Sequence, residues 1–243
     1  MCMSIYFKSI ILIPTLNERE NLKNLVPAIF NLLPDVSVLV VDDNSSDGTR
    51  ELIKSMTVNF KKLFLLERDS NFSYGRSSLA GFRWILEKNY NQIVTMDADF
   101  SHDYKEIPAL LERLDNFDVV IGSRYVKGGG VKNWNFFRRI LSRAANLYVK
   151  IILGLPVTDA TSGFNAYRAD ALKKINLDKI NSSGYAFLVE LKYRLFKVSS
   201  KFMEHPIVFS ERREGQSKMS SKIIWESIKL PWKLKFLICQ LAD

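Results

Sequence analysis

Three short apolar runs, each stopping abruptly at polar residues, constrain this chain more than any other feature. Residues 9–14 (SIILIP) lead into Thr15, Leu16, Asn17 and Glu18, residues 36–41 (VSVLVV) into Asp42 and Asp43, and residues 92–96 (QIVTM) into Asp97, Ala98 and Asp99. Runs this rich in β-branched residues, without apolar–polar alternation, are predicted strands buried on both faces. Helical periodicity fills the intervals. Glu18–Leu33 places Leu22, Leu25, Ile29 and Leu33 on one face, with a kink expected at Pro27. Thr49–Met56 is a shorter helix, and Ser77–Lys88 brings Leu79, Phe82, Ile85 and Leu86 together. Alternating strands and helices predict an α/β fold with a doubly wound, mostly parallel sheet. Such sheets bind ligands in the crevice beyond the carboxyl ends of the strands, which is where the acidic residues fall.

The second half is less regular. Asp118–Gly122, Thr161–Arg168 and Pro206–Ser210 read as strands, and Tyr185–Phe196 reads as a helix. Across Trp134–Ile152, Trp134, Phe137, Leu141, Ala144, Tyr148 and Ile151 recur at helical spacing, with Arg139, Arg143 and Lys150 on another face. Trp134, Phe136 and Phe137 are expected to be packing residues, with contact to an apolar ligand chain as the alternative. Neither a repeat nor a linker interrupts the chain. Residues 1–218 therefore read as one domain and residues 219–243 as an amphipathic helical tail.

Charge narrows the classes of partner. The chain has 243 residues, enough for one sizeable core, and a net charge of +9. Val119–Thr158 contains seven basic residues and no acidic one, and Lys218–Asp243 contains five lysines against Glu226 and Asp243. The remainder is near neutral, so the excess resides on two basic surfaces. Acidic strand ends are poor neighbours for a nucleic-acid backbone, and no nucleic-acid motif is present. The longest uncharged run, Asn24–Pro34, has eleven residues, short of the roughly 18–20 that a helix needs to span a bilayer. Cys2 and Cys239 provide no disulfide framework, which suits a reducing compartment.

The chemistry is narrowed further by elimination. The chain has no Walker-type phosphate loop, no dinucleotide-binding glycine fingerprint, no zinc spacing and no nucleophile elbow. What remains is Asp97 and Asp99 flanking Ala98 at a strand end. Two carboxylates one residue apart can face a hard divalent cation that takes its other oxygens from water and phosphates. The residues therefore point to metal-assisted chemistry on a phosphorylated ligand.

Seven segments, in order over about residues 9–218, resemble the inverting family-two glycosyltransferases, and within them the dolichyl- or polyprenyl-phosphate mannose synthases. They are residues 13–22 (IPTLNERENL), 41–49 (VDDNSSDGT), 96–102 (MDADFSH), 122–125 (GSRY), 128–134 (GGGVKNW), 159–168 (DATSGFNAYR) and 211–218 (ERREGQSK). The resemblance implies a GT-A fold and transfer of mannose from GDP-mannose to a polyprenyl or dolichyl phosphate, with inversion. A glucosyl or N-acetylhexosaminyl transferase using a UDP-sugar is the alternative. By position, Pro14, Leu16, Glu18, Val41 and Asp43 would hold the nucleoside. Asp97, Ala98 and Asp99 would handle the diphosphate, with Asp97 and Asp99 holding Mg²⁺ or Mn²⁺. Arg124, Arg212 and Lys218 would grip phosphates, and Asp99, Arg124, Arg138 and Arg139 form the catalytic set. Leu16 stands where the family often carries Tyr, and Ser101 where some members place Gln.

The tail bears on how a lipid is met. Ile224, Trp225, Ile228, Trp232 and Leu234–Leu241 are interspersed with Lys222, Lys229, Lys233 and Lys235. Trp and Lys on a short apolar segment suit the bilayer interface, and a helix packed on the domain with a wet lysine face is the competing reading. Some members of the family carry C-terminal transmembrane helices and others depend on small membrane partners. The expectation here is a peripheral protein on the cytoplasmic face of a membrane, with a small membrane-protein partner as a further candidate.

Overall fold

The structure, a computed structural model, describes residues 8–70, 72–182, 184, 186–210 and 228–236. The chain runs β1 (Ser9–Thr15), α1 (Arg19–Leu32), β2 (Ser37–Asp42), α2 (Thr49–Met56), β3 (Leu63–Glu67), α3 (Tyr74–Glu87), β4 (Gln92–Thr95), α4 (Ile107–Arg113), β5 (Val119–Ser123), β6 (Gly130–Val131), α5 (Phe136–Leu153), β7 (Asn165–Arg168), α6 (Ala169–Lys173), α7 (Ala186–Lys197), β8 (Phe202–Pro206) and β9 (Val208–Phe209). Seven strands form one sheet in the order β3-β2-β1-β4-β7-β5-β8, and β6 pairs with β9 in a second, two-stranded sheet.

The three apolar runs become neighbouring strands. β1 is parallel to β2 on one side, with Pro14 opposite Val41 and Thr15 opposite Asp42, and parallel to β4 on the other, with Leu12 opposite Thr95. Their carboxyl ends therefore open together where the chain reverses its winding, at the switch point of the sheet. The missing alternation has a direct cause. Ile10, Leu12, Leu39 and Val41 face a core shared with Leu79, Phe82 and Ile85 of α3, whereas Ile11, Ile13, Val38 and Val40 face one shared with Leu22, Leu25, Val26 and Ile29 of α1. Both faces are covered, so every position is apolar.

Two details refine the sequence reading and two depart from it. α1 continues through Pro27 as one helix. The sheet is mostly parallel, as expected, with β7 antiparallel to both β4 and β5. The segment around residues 202–209 divides, its first strand joining β5 and its second crossing to β6. The largest departure is in α5. Its buried residues are Asn146, Val149 and Leu153, whereas Phe136 and Phe137, expected to pack, are 70% and 81% exposed. Periodicity reports which residues share a face but not which face turns inward.

Residues 228–236 are helical. Leu230 and Leu234 enter the core on the α3/α7 side of the sheet, and the Tyr148 hydroxyl donates to the Ile228 carbonyl at 2.8 Å. Ile228, Trp232 and Phe236 remain exposed. The rest of the tail, together with Arg212 and Lys218, lies outside the described residues. Among the described residues no helix is long and apolar enough to cross a membrane.

Candidate active site

The side expected to hold the nucleoside is built by folding residues 42–49 back onto residues 15–19. Asn17, at φ 57°, donates its N–H to Ser45 Oγ and accepts from the Ser46 N–H through Oδ1, both at 2.8 Å. The Glu18 N–H donates to Thr49 Oγ1 at 3.2 Å, and the Arg19 N–H to Asp47 Oδ2 at 3.0 Å. Asp42 is fully buried and takes Arg50 Nε at 2.5 Å, so it braces the strand end. Asp43 is held by Arg68 and by the Ser77 hydroxyl, the latter at 2.6 Å. Leu16 is 40% exposed beside Glu18, and Pro14 is half-buried. Val41, by contrast, lies wholly in the core, so its side chain does not line an open crevice.

At the end of β4 the chain turns sharply. The Asp97 N–H donates to His102 Nδ1 at 3.0 Å, which leaves the ring proton of neutral His102 on Nε2. The His102 ring stacks on Phe164 with centroids 5.0 Å apart. Ala98 and Asp99 are buried. Asp99 Oδ1 accepts the Ser101 N–H at 3.0 Å across Phe100, whose φ is 58°. The buried Ser101 Oγ has no hydrogen-bond partner, and a buried hydroxyl is rarely left unsatisfied. Among the described residues no group of three His, Cys, Asp or Glu side chains encloses a metal. Two carboxylates and an unsatisfied hydroxyl fit Mg²⁺ or Mn²⁺, which bind few protein oxygens and retain positions for phosphate and water.

Arg124, which follows β5, is tightly constrained. Asp159 Oδ2 accepts its Nε at 2.7 Å and its backbone N–H at 3.0 Å, and Asp159 Oδ1 accepts its Nη2 at 2.7 Å. Thr161 Oγ1 takes Nη2 at 2.9 Å. Rings of Tyr125, Trp134 and Phe209 lie 5.2–5.6 Å from the guanidinium carbon. Gly129 permits this box, because a Cβ there would meet the Ser123 carbonyl at 2.5 Å. Arg138 lies over Trp134 at 4.2 Å, and Arg139 Nη2 donates to the Val131 carbonyl at 2.9 Å. Both are exposed in the first turn of α5, which Asn135 caps by accepting the Arg138 N–H. Arg124, Arg138 and Trp134 are thus brought together.

The link between the two halves is the loop 159–163, which motif reading marked only as part of a family pattern. Asp159 and Thr161 hold Arg124. At the other end, a Cβ on Gly163 would lie 2.9 Å from Tyr74 Oη, 3.6 Å from Asp97 Oδ1 and 3.6 Å from His102. The loop therefore touches the arginine and the carboxylate turn at once. Glu204 Oε2 and Oε1 accept the N–H groups of Thr158 and Asp159 at 2.8 and 3.0 Å, and Lys192 supports the loop from within. Neither residue carries a sequence signal, since each acts only by proximity. A cleft of about 610 Å³ adjoins the site, lined among others by His102, Glu106, Lys132, Asn133 and Ser210.

Comparison with known proteins bears on this geometry. The model of Glycosyl transferase family 2 matches residues 10–176. The undecaprenyl-phosphate mannosyltransferase of Micrococcus luteus is 43% identical over 217 residues, 89% of each chain. The polyprenol monophosphomannose synthase of Mycolicibacterium smegmatis is 41% identical over 223 residues, 91% of this chain and 84% of that one. Among solved structures, the glucosyl-3-phosphoglycerate synthase of Mycobacterium tuberculosis, in complex with Mn²⁺, UDP and phosphoglyceric acid, matches with a TM-score of 0.69. It is 14% identical over 93% of this chain and 78% of its own. That structural match shows the shared fold alone.

Proposed function

The chain belongs to glycosyl transferase family 2, and we propose that it transfers mannose from GDP-mannose to a polyprenyl phosphate with inversion at the anomeric carbon. The observation that carries this reading is the joining of Arg124 to the Asp97 turn by the single loop 159–163. A phosphate acceptor and a diphosphate leaving group need cationic and metal-holding groups side by side. Two relatives above 40% identity, both named for mannosyl transfer to polyprenyl phosphate, support the choice of sugar and lipid.

The acceptor's second pKa is about 6, so near pH 7 it is chiefly a dianion. No side chain has to remove a proton before its oxygen attacks. The protein's work is positioning and charge. Arg124, its plane set by Asp159, orients the acceptor phosphate behind C1, with Arg138 or Arg139 sharing its charge. Guanidinium suits this task because it meets phosphate oxygens in pairs. Asp97 and Asp99 would hold Mg²⁺ or Mn²⁺, which supplies charge neutralisation on the donor diphosphate. Arg212 and Lys218 are assigned to that diphosphate as well. Pro14, Leu16, Glu18 and Asp43 cradle the nucleoside, with Val41 contributing only its backbone.

The lipid would be met at the cytoplasmic surface of a membrane, with the protein peripheral. Phe136 and Phe137 stand exposed beside Arg138 and Arg139, and Ile228, Trp232 and Phe236 are exposed among Lys229, Lys233 and Lys235. Apolar side chains rimmed by cations match an anionic interface. A small membrane-protein partner could use the same surface.

A donor panel tests the reading. Labelled GDP-mannose, UDP-glucose and UDP-N-acetylglucosamine are each incubated with undecaprenyl phosphate and Mg²⁺ or Mn²⁺. Mannolipid should form from GDP-mannose, and Asp99→Ala should abolish it while the circular dichroism spectrum is retained. Product from a UDP-sugar alone would replace mannose with that sugar.

A further inference from the structure

Lys192, in the middle of α7, has no solvent exposure. An ammonium is buried at such cost that its partners identify its task. Its Nζ donates to the Ala160 carbonyl at 3.0 Å and the Ser162 carbonyl at 2.8 Å. These two carbonyls alternate with the residues that matter: Asp159 and Thr161 bind Arg124, and Gly163 abuts Asp97. Glu204 holds the N–H groups of Thr158 and Asp159. The loop is therefore gripped by a carboxylate at its amides and an ammonium at its carbonyls. Buried Arg124, Lys192 and Asp159, with half-buried Glu204, form a cluster whose formal charges cancel only while Lys192 keeps its proton. The remaining acid of α7 near this level, Glu190, is engaged by Ser182 and Arg194.

We propose that Lys192 is a positioning residue for the acceptor phosphate, holding the loop 159–163 in register and balancing the charge behind Arg124, so that phosphate binding is linked to the proton on Lys192. This rests on the reading of Arg124 as a ligand of the acceptor. Burial lowers the Lys192 pKa to about 7, opposed by Asp159 and Glu204 and reinforced by Arg124. A phosphate dianion arriving at Arg124 adds negative charge to the cluster and favours the ammonium. The bound complex thus holds the proton more tightly than the free protein, and affinity falls as pH rises above about 7.

The test is calorimetric and does not require sugar transfer. Citronellyl phosphate, a short soluble isoprenyl phosphate, is titrated into the full chain between pH 7 and 8.5 in buffers of different ionisation enthalpy. Over this range the probe itself is chiefly a dianion, so proton uptake belongs to the protein. Wild type should take up part of a proton per probe bound and lose about fivefold in affinity across the range. Lys192→Met should bind the probe about tenfold more weakly at pH 7, without proton uptake, while its Kd for GDP-mannose stays within about twofold. Probe binding in Lys192→Met equal to wild type, or binding by wild type without proton uptake, overturns the proposal. If Lys192→Met does not fold, Glu204→Gln serves instead, because losing a favourable carboxylate should move the fall in affinity to lower pH, and an unmoved profile counts against the linkage. Wild type that binds no probe sinks the acceptor reading with it, whereas probe binding indifferent to Lys192 sinks this proposal alone.

Discussion

Replacing Asp159 by Asn tests whether a buried carboxylate is what aims Arg124. Asp159 is fully buried and accepts three hydrogen bonds from Arg124, two of them from the guanidinium at 2.7 Å. Asparagine keeps the shape and one oxygen, but it loses the charge and turns an amide N–H₂ toward a group that can only donate. Removing one partner of a buried ion pair costs about 3–5 kcal/mol, because the other charge stays buried without compensation. The surviving acceptor places Asp159→Asn near the lower end, at about 3 kcal/mol. Domains typically have about 5–15 kcal/mol of stability, so the variant should still fold. The function should suffer more than the fold, since misplacing a positioning group by about 1 Å can cost about 100-fold in rate. Urea unfolding at pH 7 measures the first quantity and initial rates of mannolipid formation the second. Arg124→Met and the double variant complete a cycle whose coupling should reach about 3 kcal/mol. A loss below about 1 kcal/mol with an unchanged rate would refute the claim that Asp159 orients Arg124.

Three further outcomes are expected. Gly163→Ala pushes a methyl against Tyr74 Oη at 2.9 Å, which should cost about 1–3 kcal/mol and lower kcat; a stable, fully active variant would show that the loop and the Asp97 turn tolerate separation. Phe136→Ser combined with Phe137→Ser should leave the thermal melt unchanged but weaken sedimentation with anionic phospholipid vesicles at least about tenfold, since each ring is worth about 1.5–3 kcal/mol on full burial; unaltered vesicle binding would rule out this surface. Stability should also depend on Lys192: the folded pKa is about 7 and that of the unfolded chain about 10.4. Between these values the unfolded state holds more protons, so wild type should gain up to about 1.4 kcal/mol per pH unit over Lys192→Met, and nothing below pH 7; parallel urea curves at pH 7, 8 and 9 would contradict this.

Much of the donor side was legible because its signals are local. Asp97 and Asp99 follow a β-branched run, and a run buried on both faces has only its end available for ligands. Glu18 and Asp43 likewise follow apolar runs, and their expected role came from the family resemblance. The acceptor side resisted because its organisation is not local. Arg124 and Asp159 meet across 35 positions of sequence, and Lys192 lies in an apolar helix where a lysine reads as an interruption. Val41 is a motif residue whose side chain belongs to the core, which periodicity within the motif does not report. The α5 stripe was visible as a stripe, yet its orientation depended on Asn146 bonding Thr161 across the loop.

The three central strands, their doubly wound arrangement and the gathering of acidic residues at their ends were thus legible in the chain, because backbone burial and periodicity are written in adjacent residues. Which charges hold one another is set by tertiary contacts between separate segments of the chain. Asp42 and Asp159 look alike in sequence to Asp97 and Asp99, but the first two spend their charge on Arg50 and Arg124. That division depends on which segments share a low-dielectric interior, and no spacing within one segment encodes it.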